Sequence, residues 1–350
     1  MEYYLRSPIR EWNGGALVRL SDDARRCVVY LGYSDPLHED RIDPTGTGFL
    51  VHTGETRGGY LITARHVAKA LGGDPFSIRF NDKNGHGRSV LIDSADWEYH
   101  PDGESVDVAV MEFEPPRDVD IMWFPTTAFL TEEKLESKNI GAGDLAYVVG
   151  VFHPLHGASR NLPVVHTGTI ALMPEDEPIP VFAWEDPILV DDDKRRIVEV
   201  NGYIIQVDTL PGSSGAPVFV RRSLQGSFDQ FMDGLNALDK NKAWLYGAVF
   251  LLGVWQGAWG DDPAQVIALP KGKHARRALG MGTAMPAERI LDVINGSKFQ
   301  KRREDAAKEI KRKNAVFPQS APPTTEDNPQ HREDFNSLLD AAVGEKKPDQ

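Results

Sequence analysis

Three short stretches carry side chains able to act on a carbonyl group. In Pro211-Gly212-Ser213-Ser214-Gly215-Ala216-Pro217-Val218-Phe219, small residues and prolines bracket a serine ahead of an apolar run. Backbone N–H groups can approach a reacting carbonyl beside an exposed hydroxyl only where no Cβ blocks them, and glycine meets that need. A Gly/Ser/Pro cluster taken alone reads as a turn. Two upstream stretches change its meaning. Tyr60-Leu-Ile-Thr-Ala-Arg-His66-Val-Ala is a strand that delivers a histidine to a turn, and Ser105-Val-Asp107-Val-Ala-Val-Met-Glu-Phe113 sets an aspartate at the mouth of an alternating strand. Serine, histidine and aspartate together are the ingredients of nucleophilic acyl transfer: a hydroxyl, a proton shuttle near neutrality and a carboxylate to orient it.

The elements that must position these groups are strands. Cys27-Val-Val-Tyr-Leu-Gly-Tyr33, Thr47–His52, Gly59–Thr63, Phe76–Phe80 and Ser89–Asp93 follow at short intervals. Turn signals such as Asn81-Asp-Lys-Asn-Gly85 separate them, which predicts an all-β barrel or sandwich. Val67–Leu71 reads as one helical turn opened by His66. Pro115-Pro116 marks an exit from this first set. A second set follows at Leu145–Val149, Val164–Leu172, Tyr203–Val207, Pro217–Val220 and Trp244–Trp255. Two long excursions, Pro174–Arg196 and Ser223–Lys242, interrupt it. From Met285 the apolar period turns helical, with Ile290, Leu291, Ile294, Ala306, Ala307 and Ile310 in register.

In sequence the chain resembles trypsin-like serine peptidases of the chymotrypsin fold, in particular the disulfide-free bacterial type. The pieces that carry the resemblance are Gly46-Thr-Gly48-Phe-Leu-Val51, Leu61-Ile-Thr-Ala-Arg-His66-Val, Val106-Asp107-Val-Ala-Val110, Gly143-Asp-Leu-Ala-Tyr-Val-Val-Gly150, Gly212-Ser-Ser214-Gly-Ala-Pro217 and Gly253-Val-Trp255-Gln-Gly257. They stand in family order across roughly residues 15–297, and His, Asp, Ser is that family's order along the chain. The resemblance implies two six-stranded antiparallel β-barrels with the active site in the cleft between them, plus a C-terminal helix. It implies Ser214 as nucleophile, because the family's serine is followed by Gly, a small residue and Pro. His66 is then the general base, Asp107 its orienting carboxylate, and the N–H groups of Gly212 and Ser214 the oxyanion hole. Ser213 stands where zymogen-activated trypsins carry an aspartate, so activation by insertion of a new N-terminus is not expected.

The same resemblance places Asp208, six residues before Ser214, at the base of the primary specificity pocket. A carboxylate there would favour Arg or Lys side chains; alternatively Asp208 simply terminates the Tyr203–Val207 strand. Trp255 corresponds to the aromatic wall of the substrate cleft. Gln256 stands where trypsins have glycine, so it would narrow the pocket entrance. No cofactor is called for.

Boundaries follow from these readings. Residues 1–20 form a lead-in, 21–135 the first barrel with His66 and Asp107, and 136–297 the second barrel ending in a helix. Residues 298–317 form a basic helical extension, and 318–350 a flexible tail. Within that tail Phe335, Leu338, Leu339 and Val343 have the spacing of a short helix that would dock on a regulatory protein partner.

Composition limits the remaining classes. The 350 residues carry a net charge of −13, which argues against nucleic-acid and anionic-membrane partners. The basic run Lys298–Lys313 reads as a solvated helix face. No stretch reaches the ~20 apolar residues of a membrane span. The single cysteine, Cys27, precludes an intrachain disulfide and suits a reducing compartment, so a cytoplasmic location is expected. It sits in an apolar run, inert rather than nucleophilic. Asp191-Asp-Asp193 matches no calcium-loop spacing, and His153-Pro-Leu-His156 lacks further ligands at recognisable spacing, so no metal is expected. The expected substrate is a protein or peptide, cut as by an endopeptidase through an acyl-enzyme. The competing reading is a catalytically silent protease-like binding module whose cleft is occluded by one of the two excursions.

Overall fold

A computed structural model describes residues 20, 22–35, 38–54, 59–73, 75–174, 178–182, 197–208, 212–221, 249–260 and 278–316. The lead-in, most of Pro174–Arg196, all of Ser223–Lys242, the Asp191–Asp193 cluster and the tail at 318–350 with its docking helix lie outside the described residues.

In chain order the elements are α1 (Asp22–Arg25), β1 (Val28–Asp35), β2 (His38–His52), β3 (Gly59–Thr63), α2 (Arg65–Ala70), β4 (Phe76–Asn81), β5 (Gly87–Ile92), β6 (Glu98–Tyr99), β7 (Ala109–Phe113) and β8 (Phe124–Pro125). Then come α3 (Glu132–Lys138), β9 (Leu145–Gly150), β10 (Val164–Leu172), β11 (Ile179–Phe182), β12 (Ile197–Val200), β13 (Tyr203–Gln206), β14 (Pro217–Arg221), β15 (Val249–Gly260), β16 (Ala278–Pro286), α4 (Ala287–Ile294) and α5 (Ser297–Val316). The protein is therefore mostly β with a few helices.

The second set of strands closes into a six-stranded barrel in the order β10-β13-β16-β15-β14-β9. Its interior is an apolar cluster that includes Val148, Tyr203, Ile205, Val218, Leu252 and Trp255. Full burial of each such side chain contributes roughly 1.5–3 kcal/mol, which is why alternating residues of these strands turn inward.

The first set differs from the six-stranded barrel expected. Its strands form an eight-stranded sheet in the order β5-β4-β1-β2-β3-β7-β6, with β8 paired in parallel to β2. Among the described residues the edges β5 and β6 do not pair with each other. The physical reason is local: β6 is two residues long, and its two backbone partners on β7 are Val110 and Ala109. The long β2 pairs with β1 from His38 to Phe49 and with β3 from Phe49 to Val51, so one strand serves both neighbours. Bulges at Leu31/Gly32 and Ser34/Asp35 add twist. The interior face is closely filled: every residue of β3 is buried, as are Phe49, Leu50, Val51 and Phe80.

The chain separates into two compact units, Met1–Gly296 and Ser297–Gln350. The first contains the eight-stranded sheet, the closed barrel and a two-stranded sheet of β11 and β12. In the second, the described element is the 20-residue helix α5, which spans the basic run. No helix among the described residues is long and apolar enough to cross a membrane.

Candidate active site

The fully buried strand β3 ends at Thr63, and the chain turns at once into α2, whose Val67 and Ala68 are buried. His66 is thus held on a rigid strand-to-helix junction. Asp107 sits two residues before β7, the neighbour of β3, where Thr63 pairs with Ala109. This register brings the carboxylate under the imidazole. Asp107 Oδ2 lies 2.7 Å from His66 Nδ1, and Asp107 Oδ1 accepts the backbone N–H of His66 at 2.9 Å. One carboxylate fixes both the ring and the main chain. An ionised carboxylate accepts only, so Nδ1 carries the proton and Nε2 keeps its lone pair. The two side chains retain 14% and 5% of their exposure, so little water reaches the pair.

The serine turn comes from the closed barrel, between β13 and β14. Gly212 (φ +104°) and Gly215 (φ +81°) adopt left-handed backbone that favours glycine. Space is equally restrictive. A Cβ on Gly215 would lie 2.2 Å from Thr63 Oγ1, 2.3 Å from the Thr47 carbonyl oxygen and 3.0 Å from Ala64 N. The turn is therefore pressed against the strand end that carries His66. A Cβ on Gly46 would meet Val67 at 2.8 Å and the Ser214 carbonyl oxygen at 3.1 Å, so Ser214 and the residue after His66 flank one point.

Thr47, fully buried on β2, ties this junction together. Its N–H donates to the Ser214 carbonyl at 2.9 Å and its hydroxyl to the Gly212 carbonyl at 2.8 Å. The same hydroxyl accepts from Val151 N–H at 3.0 Å, and the Thr47 carbonyl accepts from Thr63 Oγ1 at 2.7 Å. One residue of the first sheet thus holds both ends of the Gly212–Ser214 segment. The sequence places Thr47 in a strand and within the Gly46–Val51 piece of the resemblance, but its spacing does not assign it this bracing role. Its signal was its place between Gly46 and Gly48, two residues whose missing side chains admit close neighbours.

Ser214 is half-buried, whereas Ser213 is 2% exposed and faces inward. The Ser214 hydroxyl donates to the Gln256 carbonyl at 3.2 Å. Among the described residues no group accepts from the N–H of Gly212 or Ser214.

The remaining expected site residues divide. Asp208 is exposed just past β13, and a Cβ on Gly280 would lie 2.9 Å from its Oδ1. Glycine at that position (φ +67°) leaves the carboxylate open. His166, on β10, bonds to the Asp208 backbone, and burial holds its imidazole below the ordinary histidine range. Trp255 differs from expectation: it is 1% exposed and packs in the barrel core rather than walling a cleft. It pairs with Ala284 on β16, and this register turns its ring inward. Gln256 is also fully buried, its two amide atoms have no partner among the described residues, and its backbone carbonyl is what meets Ser214. His153 and His156 form an edge-on ring pair at 6.3 Å, and His153 Nε2 lies 3.2 Å from Asp43 Oδ1.

A mostly β protein with a closed six-stranded barrel, a hydrogen-bonded His–Asp pair and a glycine-flanked serine turn packed on the strand end before that histidine has the features of the chymotrypsin-like class. The model of the trypsin-like peptidase domain matches residues 46–223, and the chain belongs to the trypsin-like serine peptidase family. Among solved structures, the active form of the Rv3671c protease from M. tuberculosis is 17% identical, with 77% of this chain and 80% of that one aligned at a TM-score of 0.39. The HtrA-type protease AlgW with decapeptide is 15% identical over 77% of this chain and 63% of that one, at 0.39. The structure of HBP is 12% identical over 80% and 94%, at 0.42. No curated protein matches the chain.

Proposed function

We propose that this peptidase is a serine endopeptidase in which Ser214, His66 and Asp107 form the catalytic triad and the N–H groups of Gly212 and Ser214 form the oxyanion hole. The observation that carries the reading is the seating of Ser214-Gly215 on Thr47, Thr63 and Ala64, immediately before a histidine already locked to a carboxylate. The hydroxyl has one proton and hands it to one acceptor at a time. Attack therefore requires the hydroxyl to turn its O–H from the Gln256 carbonyl toward His66 Nε2, which takes the proton from Oγ as Oγ bonds to the scissile carbon. The developing oxyanion takes the N–H groups of Gly212 and Ser214, and His66 then protonates the leaving amine. Water repeats the sequence on the acyl-enzyme. Asp107 stabilises the imidazolium formed in each half-reaction and stays ionised.

Asp208 gives the substrate pocket a preference for Arg or Lys side chains, since an open carboxylate pairs with them by charge-assisted hydrogen bonds. Substrate profiling with a peptide library tests this. Basic residues should dominate the cleaved position, and Asp208→Asn should abolish the preference.

A fluorophosphonate probe tests the triad itself. The wild-type chain should label, and Ser214→Ala and His66→Ala should not. Absence of wild-type labelling would favour the silent binding module, whose occluding excursions lie mostly outside the described residues.

A further inference from the structure

Strands β4 and β5 of the first sheet grip the connection from β9 to β10, residues 151–163, near its far end. Arg79, on β4, is fully buried. Its Nη1 donates to the Gly157 carbonyl at 2.7 Å and its Nη2 to the Ala158 carbonyl at 3.0 Å. The guanidinium lies over Gly87 of β5, where a Cβ would fall 2.3 Å from Nη2 and 2.7 Å from Cζ. The Gly87 N–H donates to the Ser159 carbonyl at 2.6 Å. Asn81 and Asn161 complete the clasp. Asn81 Oδ1 accepts the Asn161 N–H at 2.7 Å, Asn81 Nδ2 donates to the Asn161 carbonyl at 3.1 Å, and Asn161 Nδ2 donates to the Arg79 carbonyl at 2.6 Å. A planar fork of fixed donors suits two neighbouring carbonyls, which a lysine ammonium cannot match. None of these residues takes part in the chemistry above.

The near end of the same connection walls the serine turn. A Cβ on Gly212 would lie 2.8 Å from Val151 Cγ1, 3.0 Å from the Val151 carbonyl oxygen and 3.4 Å from His153 N. A Cβ on Gly150 would lie 3.3 Å from Ser213 Cα. The Val151 N–H donates to the same Thr47 hydroxyl that bonds the Gly212 carbonyl. Between the two ends the chain is folded tightly on itself. His156 Nδ1 donates to the His153 carbonyl at 2.8 Å. Gly157 has a φ of +91°, and a Cβ there would lie 2.0 Å from the Arg160 carbonyl oxygen. A connection this short and this closely packed passes movement at 157–161 on to 151–153.

We propose that Arg79 is a positioning residue for the oxyanion hole: through the β9–β10 connection it holds Val151 and His153 against Gly212 and so fixes the place of the Gly212 N–H. The proposal rests on the reading of Ser214 as nucleophile. Arg79 touches neither substrate nor triad and acts only through the backbone it grips. Loss of its fork leaves the Gly157 and Ala158 carbonyls without those donors, the connection loosens, and the wall beside Gly212 loosens with it.

Full-length chains carrying Arg79→Met and Arg79→Lys test it, with circular dichroism as the check on folding. Methionine keeps an apolar stem and brings no donor, whereas lysine keeps the charge and loses the fork. The readouts are the rate of fluorophosphonate labelling and amide hydrogen exchange followed by mass spectrometry. Arg79→Met should label at least about tenfold more slowly than wild type, with Arg79→Lys between the two. Exchange should rise at least about tenfold in 151–163 and at 212–216, while β3 and β7 keep wild-type protection. A role confined to global stability would raise exchange throughout the chain and leave labelling of the folded protein unchanged. That pattern, wild-type labelling by folded Arg79→Met, or unchanged exchange at 212–216 would each overturn the proposal. If Arg79→Met does not fold, Asn81→Ala decides by the same readouts, since it removes the bonds to the Asn161 backbone and leaves the guanidinium in place. Failure of the wild-type chain to label would count against Ser214 as nucleophile, and the exchange pattern would then decide whether the clasp holds the turn.

Discussion

Replacing Thr47 by valine isolates the junction on which the serine turn rests. Valine has nearly the shape of threonine, so packing is preserved while the hydroxyl is lost. Two backbone groups then lose their partner together: the part-buried Gly212 carbonyl, which accepts at 2.8 Å, and the buried Val151 N–H, which donates at 3.0 Å. An unsatisfied buried group costs about 1–3 kcal/mol and the two together at most about 6 kcal/mol, so the variant should lose roughly 2–6 kcal/mol of stability. Thr47→Ser keeps the hydroxyl and loses one methyl, about 1 kcal/mol. Urea denaturation followed by circular dichroism should therefore rank wild type above Thr47→Ser and both above Thr47→Val, the last with a midpoint lower by on the order of 1 M. Fluorophosphonate labelling under native conditions supplies the second readout. A looser Gly212 misplaces an oxyanion donor, and loss of one such donor is worth about 10²–10³ in rate. Thr47→Val should label at least tenfold more slowly and Thr47→Ser within a factor of a few (on the order of threefold). Wild-type stability and labelling in Thr47→Val would refute the claim that this hydroxyl braces the oxyanion loop.

Further outcomes follow from the same geometry. Gly215→Ala places a methyl within 2.3 Å of Thr63 Oγ1 and the Thr47 carbonyl at a φ of +81°, and it should shift the urea midpoint downward and abolish labelling. Asp107→Asn presents an amide N–H to Nδ1, forces the proton onto Nε2 and removes the base; labelling should fall by about 10⁴ with little change in fold. Cys27 is free and fully buried, and burial pushes its thiol far above the ordinary range. A chromogenic thiol reagent at pH 8 should leave it unmodified until urea unfolds the chain. Burial lowers the His166 pKa in the folded state, so below the unfolded value near 6.5 the unfolded chain binds a proton that the folded chain refuses. Stability should therefore fall as pH drops from 7.5 to 5.5, and His166→Gln should reduce that fall, read as the change in urea midpoint.

Much of the architecture could be read from local pattern. The short apolar runs Tyr60–Thr63 and Ala109–Phe113, bounded by turn residues, mark strands buried on both faces. The glycines at 212 and 215 could be read as a special turn because few other residues occupy positive φ. The first sheet was less legible. Whether a sheet closes depends on pairing between strands distant along the chain, and the brevity of β6 is a property of its partner as much as of Glu98-Tyr99. The orientation of Trp255 was also hidden, because an aromatic residue suits a cleft wall and a barrel core equally until its register with Ala284 is known.

By itself the sequence determined the residue types of the chemistry, their order and the family that owns that order, since these are written in local spacing and in which positions tolerate only glycine. Tertiary structure alone decided that Asp107 grips both the ring and the backbone of His66 and that Thr47 braces the serine turn. Those facts concern hydrogen bonds between residues as many as 165 positions apart, and only folding chooses which donors and acceptors meet.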